Sequence, residues 1–97
     1  MPLFALSCID KPGALDLRMA TRPAHLAYMG EHAHMLKLGG PYLDEAGQMA
    51  GSLLVIEADD IAAARAFAAN DPYARAGLFE RVDLMAFRAT LGGLAGT

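Results

Sequence analysis

Residues 2–10, PLFALSCID, place apolar side chains on both alternating sets: Leu3, Ala5, Ser7 and Ile9 on one, Phe4, Leu6 and Cys8 on the other. Ended by DKPG, this pattern predicts a strand covered on both sides. The next stretch, ALDLRMATRPAHLAYMGEHAHMLKL, reads as helical. Pro23 is expected to divide it, because proline lacks an amide donor and clashes one turn back. Thr21 is a candidate cap for the second piece, with Pro23 in its first turn. Leu26, Met29, Gly30, Ala33, Leu36 and Lys37 then recur at helical spacing, and Gly39-Gly40 is expected to close the helix.

A short strand is predicted near Pro41–Leu43, followed by a polar connection over 44–50 and a strand from Ser52 to Glu57. Asp59 or Asp60 can cap the helix IAAARAFAAN, in which Ile61, Ala64 and Ala68 share a face. Asn70-Asp71-Pro72 interrupts it, since the residue before a proline resists the helical conformation. Asp71 then starts a short helical turn, PYARAG, and LFERVDLMAFRAT reads as a last strand. Residues 91–97 form a weak tail, loose or docked on a partner. The order β-α-β-β-α-β is the split βαβ arrangement of ferredoxin-like α+β folds, with helices on one face of a four-stranded antiparallel sheet. One domain over residues 1–97 is expected, its core spanning about 3–88.

Composition sharpens this picture. Of 97 residues, 55% are hydrophobic and 20% charged, which is apolar for so small a chain. The strands are apolar on both faces, so the sheet face free of helices is expected to meet a second copy, giving a homodimer or higher homo-oligomer. A net charge of −3 carries no nucleic-acid footprint. The stacking aromatics of RNA-recognition domains are missing from SLLVIEA. Cys8 is the single cysteine, suited to a reducing cytoplasm. The N-terminal MPLFALSCIDKPG is too short and wrongly flanked for a signal peptide. No apolar run approaches the roughly 20 residues that span a bilayer.

All three histidines fall in RPAHLAYMGEHAHM, residues 22–35. On a smooth helix Arg18, Arg22 and His25 form one row bordering the Leu26/Ala33 stripe. Two cations beside an apolar seam need an anionic partner; the alternative is that both snorkel or pair on the surface. His25 is the best candidate for proton transfer, since imidazole titrates nearest neutrality; a satisfied structural histidine is the alternative. His32 is two turns further on and His34 roughly opposite, so HAH makes a poor metal clip, and no metal site is expected. Asp71 reads as an N-cap before a proline, and a capping carboxylate can also orient an imidazole. Ser7 and Ser52 could line a cleft. Tyr28, Tyr42 and Tyr73 could close a pocket or simply pack. No nucleophile elbow, glycine-rich phosphate loop or CxxC is present.

Taken together, DKPGALDLR, RPAHLAYM, GGPY, GSLLVIEADD and NDPYARAGLFERVDLMAF resemble the YciI-like (YCII-related) proteins over about residues 3–88. The resemblance implies a ferredoxin-like subunit of a dimeric α/β barrel. It implies a site around His25 and Asp71, with Arg18 and Arg22 as the matching arginines and Gly51 and Ser52 as small residues before the third strand. Dehydrochlorinase or lyase-like chemistry in some relatives suggests proton transfer on a small anionic molecule. In that reading His25 is general acid or base, Asp71 orients it, and Arg18 and Arg22 hold the anion, with Ser7, Gly51 and Ser52 lining a pocket between the first helix and the sheet, lidded by residues 44–50. No cofactor is needed. A non-catalytic anion-binding or regulatory homodimer is the alternative.

Overall fold

The computed structural model describes residues 2–93. Strand β1 (Leu3–Asp10) leads through a turn at Gly13, whose φ of +70° suits glycine, into helix α1 (Leu15–Glu31). Strand β2 (Leu36–Leu43) and strand β3 (Met49–Glu57) follow, then helix α2 (Ile61–Asn70), the short helix α3 (Pro72–Arg75) and strand β4 (Phe79–Phe87). The sheet runs in the order β2-β3-β1-β4, antiparallel throughout. This is the ferredoxin-like α+β arrangement, with a third, one-turn helix before the last strand.

Strand parity sorts the two faces of the sheet. Phe4, Leu6 and Cys8 pair with Ile56, Leu54 and Ser52 and point toward the helices. They form the core with Met29 of α1 and with Ala64 and Phe67 of α2. Leu3, Ala5, Ser7 and Ile9 point the other way, beside Leu53 and Val55 of β3 and Asp83, Met85 and Phe87 of β4. Leu38, Met85 and Phe87 leave this open face with large exposed apolar side chains.

Several expectations need correction. Helix α1 passes through Pro23 without dividing, so Thr21 caps nothing. The helix loses the amide bond that proline cannot donate, and its seat on the rest of the fold offsets that loss. The helix also ends at Glu31, eight residues before Gly39, and Leu36 and Lys37 belong to β2. The apolar residues from Leu36 onward follow strand pairing against β3, which local periodicity does not report. The Leu26 stripe is not the buried face: Leu26 is 49% exposed, and the buried residues of α1 are Arg18, His25 and Met29. In α2, Asp60 is the cap, accepting from the Ala63 amide at 2.8 Å. Its buried face is Ala64 and Phe67, with Ile61 at the exposed edge. Strand β3 starts at Met49, so Gly51 and Ser52 lie inside it. Of the tail, Leu91 is exposed and residues 94–97 lie outside the described residues.

Candidate functional site

The space between α1 and the sheet changes character along β1. Phe4 and Leu6 are apolar, but Asp10, at the same parity, is buried and charged. It meets Arg18 from the first turns of α1. The Arg18 Nε donates to Asp10 Oδ2 at 2.7 Å and its Nη2 to Oδ1 at 3.1 Å. Nη2 also donates to the Ser52 hydroxyl at 2.8 Å. Burial works against the Arg18 charge, but the hydrogen bond and charge of Asp10 outweigh it and hold the guanidinium more firmly protonated than usual. Asp10 is thus the anionic partner that the arginine row requires. Strand alternation alone was the signal for it, since Phe4, Leu6 and Cys8 put Asp10 on the covered face.

Two turns along, His25 faces the junction of α2 and α3. Asp71 ends α2 in an extended conformation and caps α3, its Oδ1 accepting from the Tyr73 amide at 2.9 Å with Pro72 at the first helical position. The same Oδ1 lies 2.9 Å from His25 Nδ1, and Oδ2 lies 3.2 Å from it. A carboxylate only accepts, so Nδ1 carries the proton and Nε2 is left with a lone pair in the neutral ring. His25 is 8% exposed and Asp71 3%.

Tyr73 lies between these groups. Its ring stacks on the imidazole with centroids 4.0 Å apart and planes 17° apart. The Arg18 Cζ lies 4.5 Å from the same ring centroid. Burial pushes the Tyr73 phenol up, against the pull of Arg18 and Arg22. Asp10, Arg18, Tyr73, His25 and Asp71 therefore form one contiguous cluster on the covered side of the sheet. Arg22 lies on the same face of α1, half-buried, and among the described residues no ion-pair partner accompanies it.

Other predicted residues stand elsewhere or do something else. Arg18 has its Nε/Nη2 edge occupied by Asp10, so that edge is closed to a substrate anion. Ser52 belongs to the cluster as a partner of Arg18. Ser7 points to the open face, where its hydroxyl bonds the Tyr42 hydroxyl at 3.0 Å, and the sheet separates it from His25. Gly51 serves close approach: a Cβ there would lie 2.4 Å from the Cys8 carbonyl oxygen and 3.0 Å from the Tyr42 ring. The 44–50 connection is a tight turn closed on Asp44, whose Oδ1 accepts from the amides of Ala46 and Gln48 at 2.9 Å.

His32 ends α1, its Nδ1 donating to the Tyr28 carbonyl at 2.9 Å, while His34 falls beyond the helix with its ring 6.4 Å from that of His32. Tyr28 donates to the Phe67 carbonyl at 2.8 Å. Among the described residues no three His, Cys, Asp or Glu side chains gather as a metal site would require.

Two open depressions, of about 840 and 510 Å³, are lined without His25 or Asp71. The larger follows the outer side of α1 and α3, along Ala24, Tyr28, Pro72 and Arg75. Between α1 and the sheet, Arg18 and Tyr73 are packed against their partners and are 2% and 1% exposed.

Comparison with known proteins places these features in a family. Protein YciI of Escherichia coli is 33% identical over 94 residues, covering 89% of this chain and 96% of the relative. An uncharacterized protein of Haemophilus influenzae is also 33% identical over 94 residues, covering 88% and 95%. Among solved structures, 5-chloro-2-hydroxyhydroquinone dehydrochlorinase from Burkholderia phenoliruptrix, in complex with 2,5-dihydroxybenzoquinone, superposes with a TM-score of 0.85 at 32% identity, covering 91% of this chain and 95% of that one. The profile of the YCII-related domain matches residues 2–88, and the chain belongs to the YCII-related family.

Proposed function

We propose that this protein catalyses proton transfer on a small anionic molecule, with the His25–Asp71 pair as its acid–base centre. The observation that carries the reading is the 2.9 Å contact between His25 Nδ1 and a carboxylate that is itself fixed by a backbone amide. An imidazole so held presents Nε2 as a base of defined direction. In an elimination, Nε2 takes a proton from the substrate, the electron pair moves through the conjugated frame, and a leaving anion departs. In an isomerisation the same nitrogen returns the proton to a second atom. Arg22, half-buried on the His25 side of α1, supplies the cation for the substrate's charge. Arg18 and Ser52 shape the site from behind, while Gly51, paired with Ile9, faces the open side of the sheet. Likeness to a dehydrochlorinase supports a phenolic or enolic substrate.

The working unit in this reading is a cytoplasmic homodimer, supported by the apolar open face and by the free thiol of Cys8. The test is turnover of chlorinated hydroquinones and related small acids. His25→Ala and Asp71→Asn are expected to abolish it while leaving the fold intact, and full rate in a His25→Ala protein overturns the assignment.

A second reading, an anion-binding regulatory dimer without turnover, is favoured by the small exposure of His25 and by depressions that do not reach it. Thermal shift against small carboxylates and phenols, with product analysis on each hit, separates the two.

A further inference from the structure

We propose that Tyr73 is a positioning residue that fixes both members of the His25–Asp71 pair, and that Asp10 and Arg18 hold Tyr73 in that role. The inference rests on the acid–base reading of His25 and deepens it. Tyr73 touches the pair in two independent ways. Its amide N–H donates to Asp71 Oδ1 at 2.9 Å, which sets the carboxylate. Its ring lies on the imidazole at 4.0 Å and 17°, which sets the plane of the base. To exchange Nδ1 for its opposite edge, the imidazole must swing through a perpendicular orientation. A ring stacked at that distance leaves no room for the swing, because aromatic groups are already in van der Waals contact there.

The tyrosine is itself immobilised. It is 1% exposed, and the Arg18 guanidinium sits 4.5 Å from its ring centroid. A cation over an aromatic ring is attracted by the ring's negative face. That cation is locked by two bonds to Asp10 and one to Ser52. Asp10, Arg18 and Tyr73 thus form a backing for the imidazole, and the tautomer with its proton on Nδ1 is the one they preserve. This gives Arg18 a task other than binding the substrate, and gives Asp10 a task in the site although it touches neither His25 nor Asp71.

The test is long-range ¹H–¹⁵N NMR of the His25 ring in the full-length protein at mildly alkaline pH, in wild type, Tyr73→Phe and Tyr73→Leu. Wild type and Tyr73→Phe are expected to show the Nδ1–H tautomer. Folded Tyr73→Leu is expected to move both nitrogen signals toward averaged positions and, once a substrate is in hand, to lower kcat by up to about 10²-fold with little change in KM. An unchanged tautomer in folded Tyr73→Leu overturns the proposal. Should Tyr73→Leu fail to fold, wild type alone decides: stacked on Tyr73, the His25 ring protons resonate upfield of their random-coil positions, and unshifted protons overturn it. If the tautomer responds to Tyr73 while His25→Ala keeps full turnover, the positioning stands and the acid–base reading falls. If the tautomer ignores Tyr73 while His25→Ala abolishes turnover, the reverse holds.

Discussion

Asp10 grips Arg18 through both carboxylate oxygens, at 2.7 and 3.1 Å, with both side chains almost wholly withdrawn from water. Removing one partner of such a pair strands the other charge. Asp10→Ala is therefore expected to cost about 3–5 kcal/mol in urea denaturation. Replacing both, as Asp10→Leu with Arg18→Met, removes the stranded charge as well and is expected to recover most of that loss.

Asp71 serves two donors with one oxygen, and the two can be separated by substitution. Asp71→Asn keeps a carbonyl for the Tyr73 amide, whereas Asp71→Ala loses the cap. The alanine variant is expected to be the less stable by about 1 kcal/mol. Both are expected to lose turnover, since neither holds a carboxylate against His25. Parallel denaturation curves and activity assays check the two statements independently.

Burial, then the negative charge of Asp71, push the Cys8 thiol up from its usual 9.0 to about 12. Below pH 9 folded and unfolded chains both keep this proton, and its contribution to stability is complete. Above that, the unfolded chain ionises while folded Cys8 does not, so stability falls until the pH passes about 12. The expected slope is about 1.4 kcal/mol per pH unit. Burial raises Tyr28 and Tyr73 as well, so both add to the alkaline loss above their usual 10.0. Denaturation midpoints measured across this range, with Cys8→Ala lacking the earliest part of the decline, provide the check.

Gly51 has no room for a side chain, because a Cβ would meet the Cys8 carbonyl oxygen at 2.4 Å. That neighbour is backbone in the adjoining strand and cannot rotate away. Gly51→Ala is expected to destabilise the fold by about 1–3 kcal/mol, whereas Gly40→Ala, which meets nothing within 4 Å, should be mild by thermal unfolding.

On the open face Met85 is 64% exposed, pairing across from Ala5. A charge there opposes sheet-to-sheet association. If the proposed homodimer forms through this face, Met85→Lys is expected to shift the mass measured by light scattering toward that of a monomer without changing the far-UV spectrum.

The order of elements and the strand parity of β1 were legible in the sequence, because PLFALSCID and its DKPG stop are local signals. The extent of α1 was not. Pro23 and the apolar residues around Leu36 gave local cues that long-range contacts override: α1 is fixed by Asp10 and Asp71, 8 and 46 residues from their partners, and Leu36 is recruited by Ile56. His25 and Asp71 stood out through residue type and cap grammar. Asp10 did not, since a charge at a strand end has an ordinary explanation until a partner is seen, and for Tyr73 the sequence leaves pocket closure and plain packing both open. Ser7 lines no pocket beside His25, and its parity, opposite to Cys8, is the signal that puts it on the open side of the sheet.

Helix α1 is seated largely by single-atom appointments and less by an area of grease. Rotating it by one residue, or advancing it by one, would leave two aspartates without their mates and the guanidinium and imidazole without their acceptors. A greasy helix can slip and repack, but this one is keyed like a lock. Insertions or deletions between residues 18 and 25 should be intolerable to the fold, while the same changes in the turn before Leu15 or after Glu31 should be absorbed.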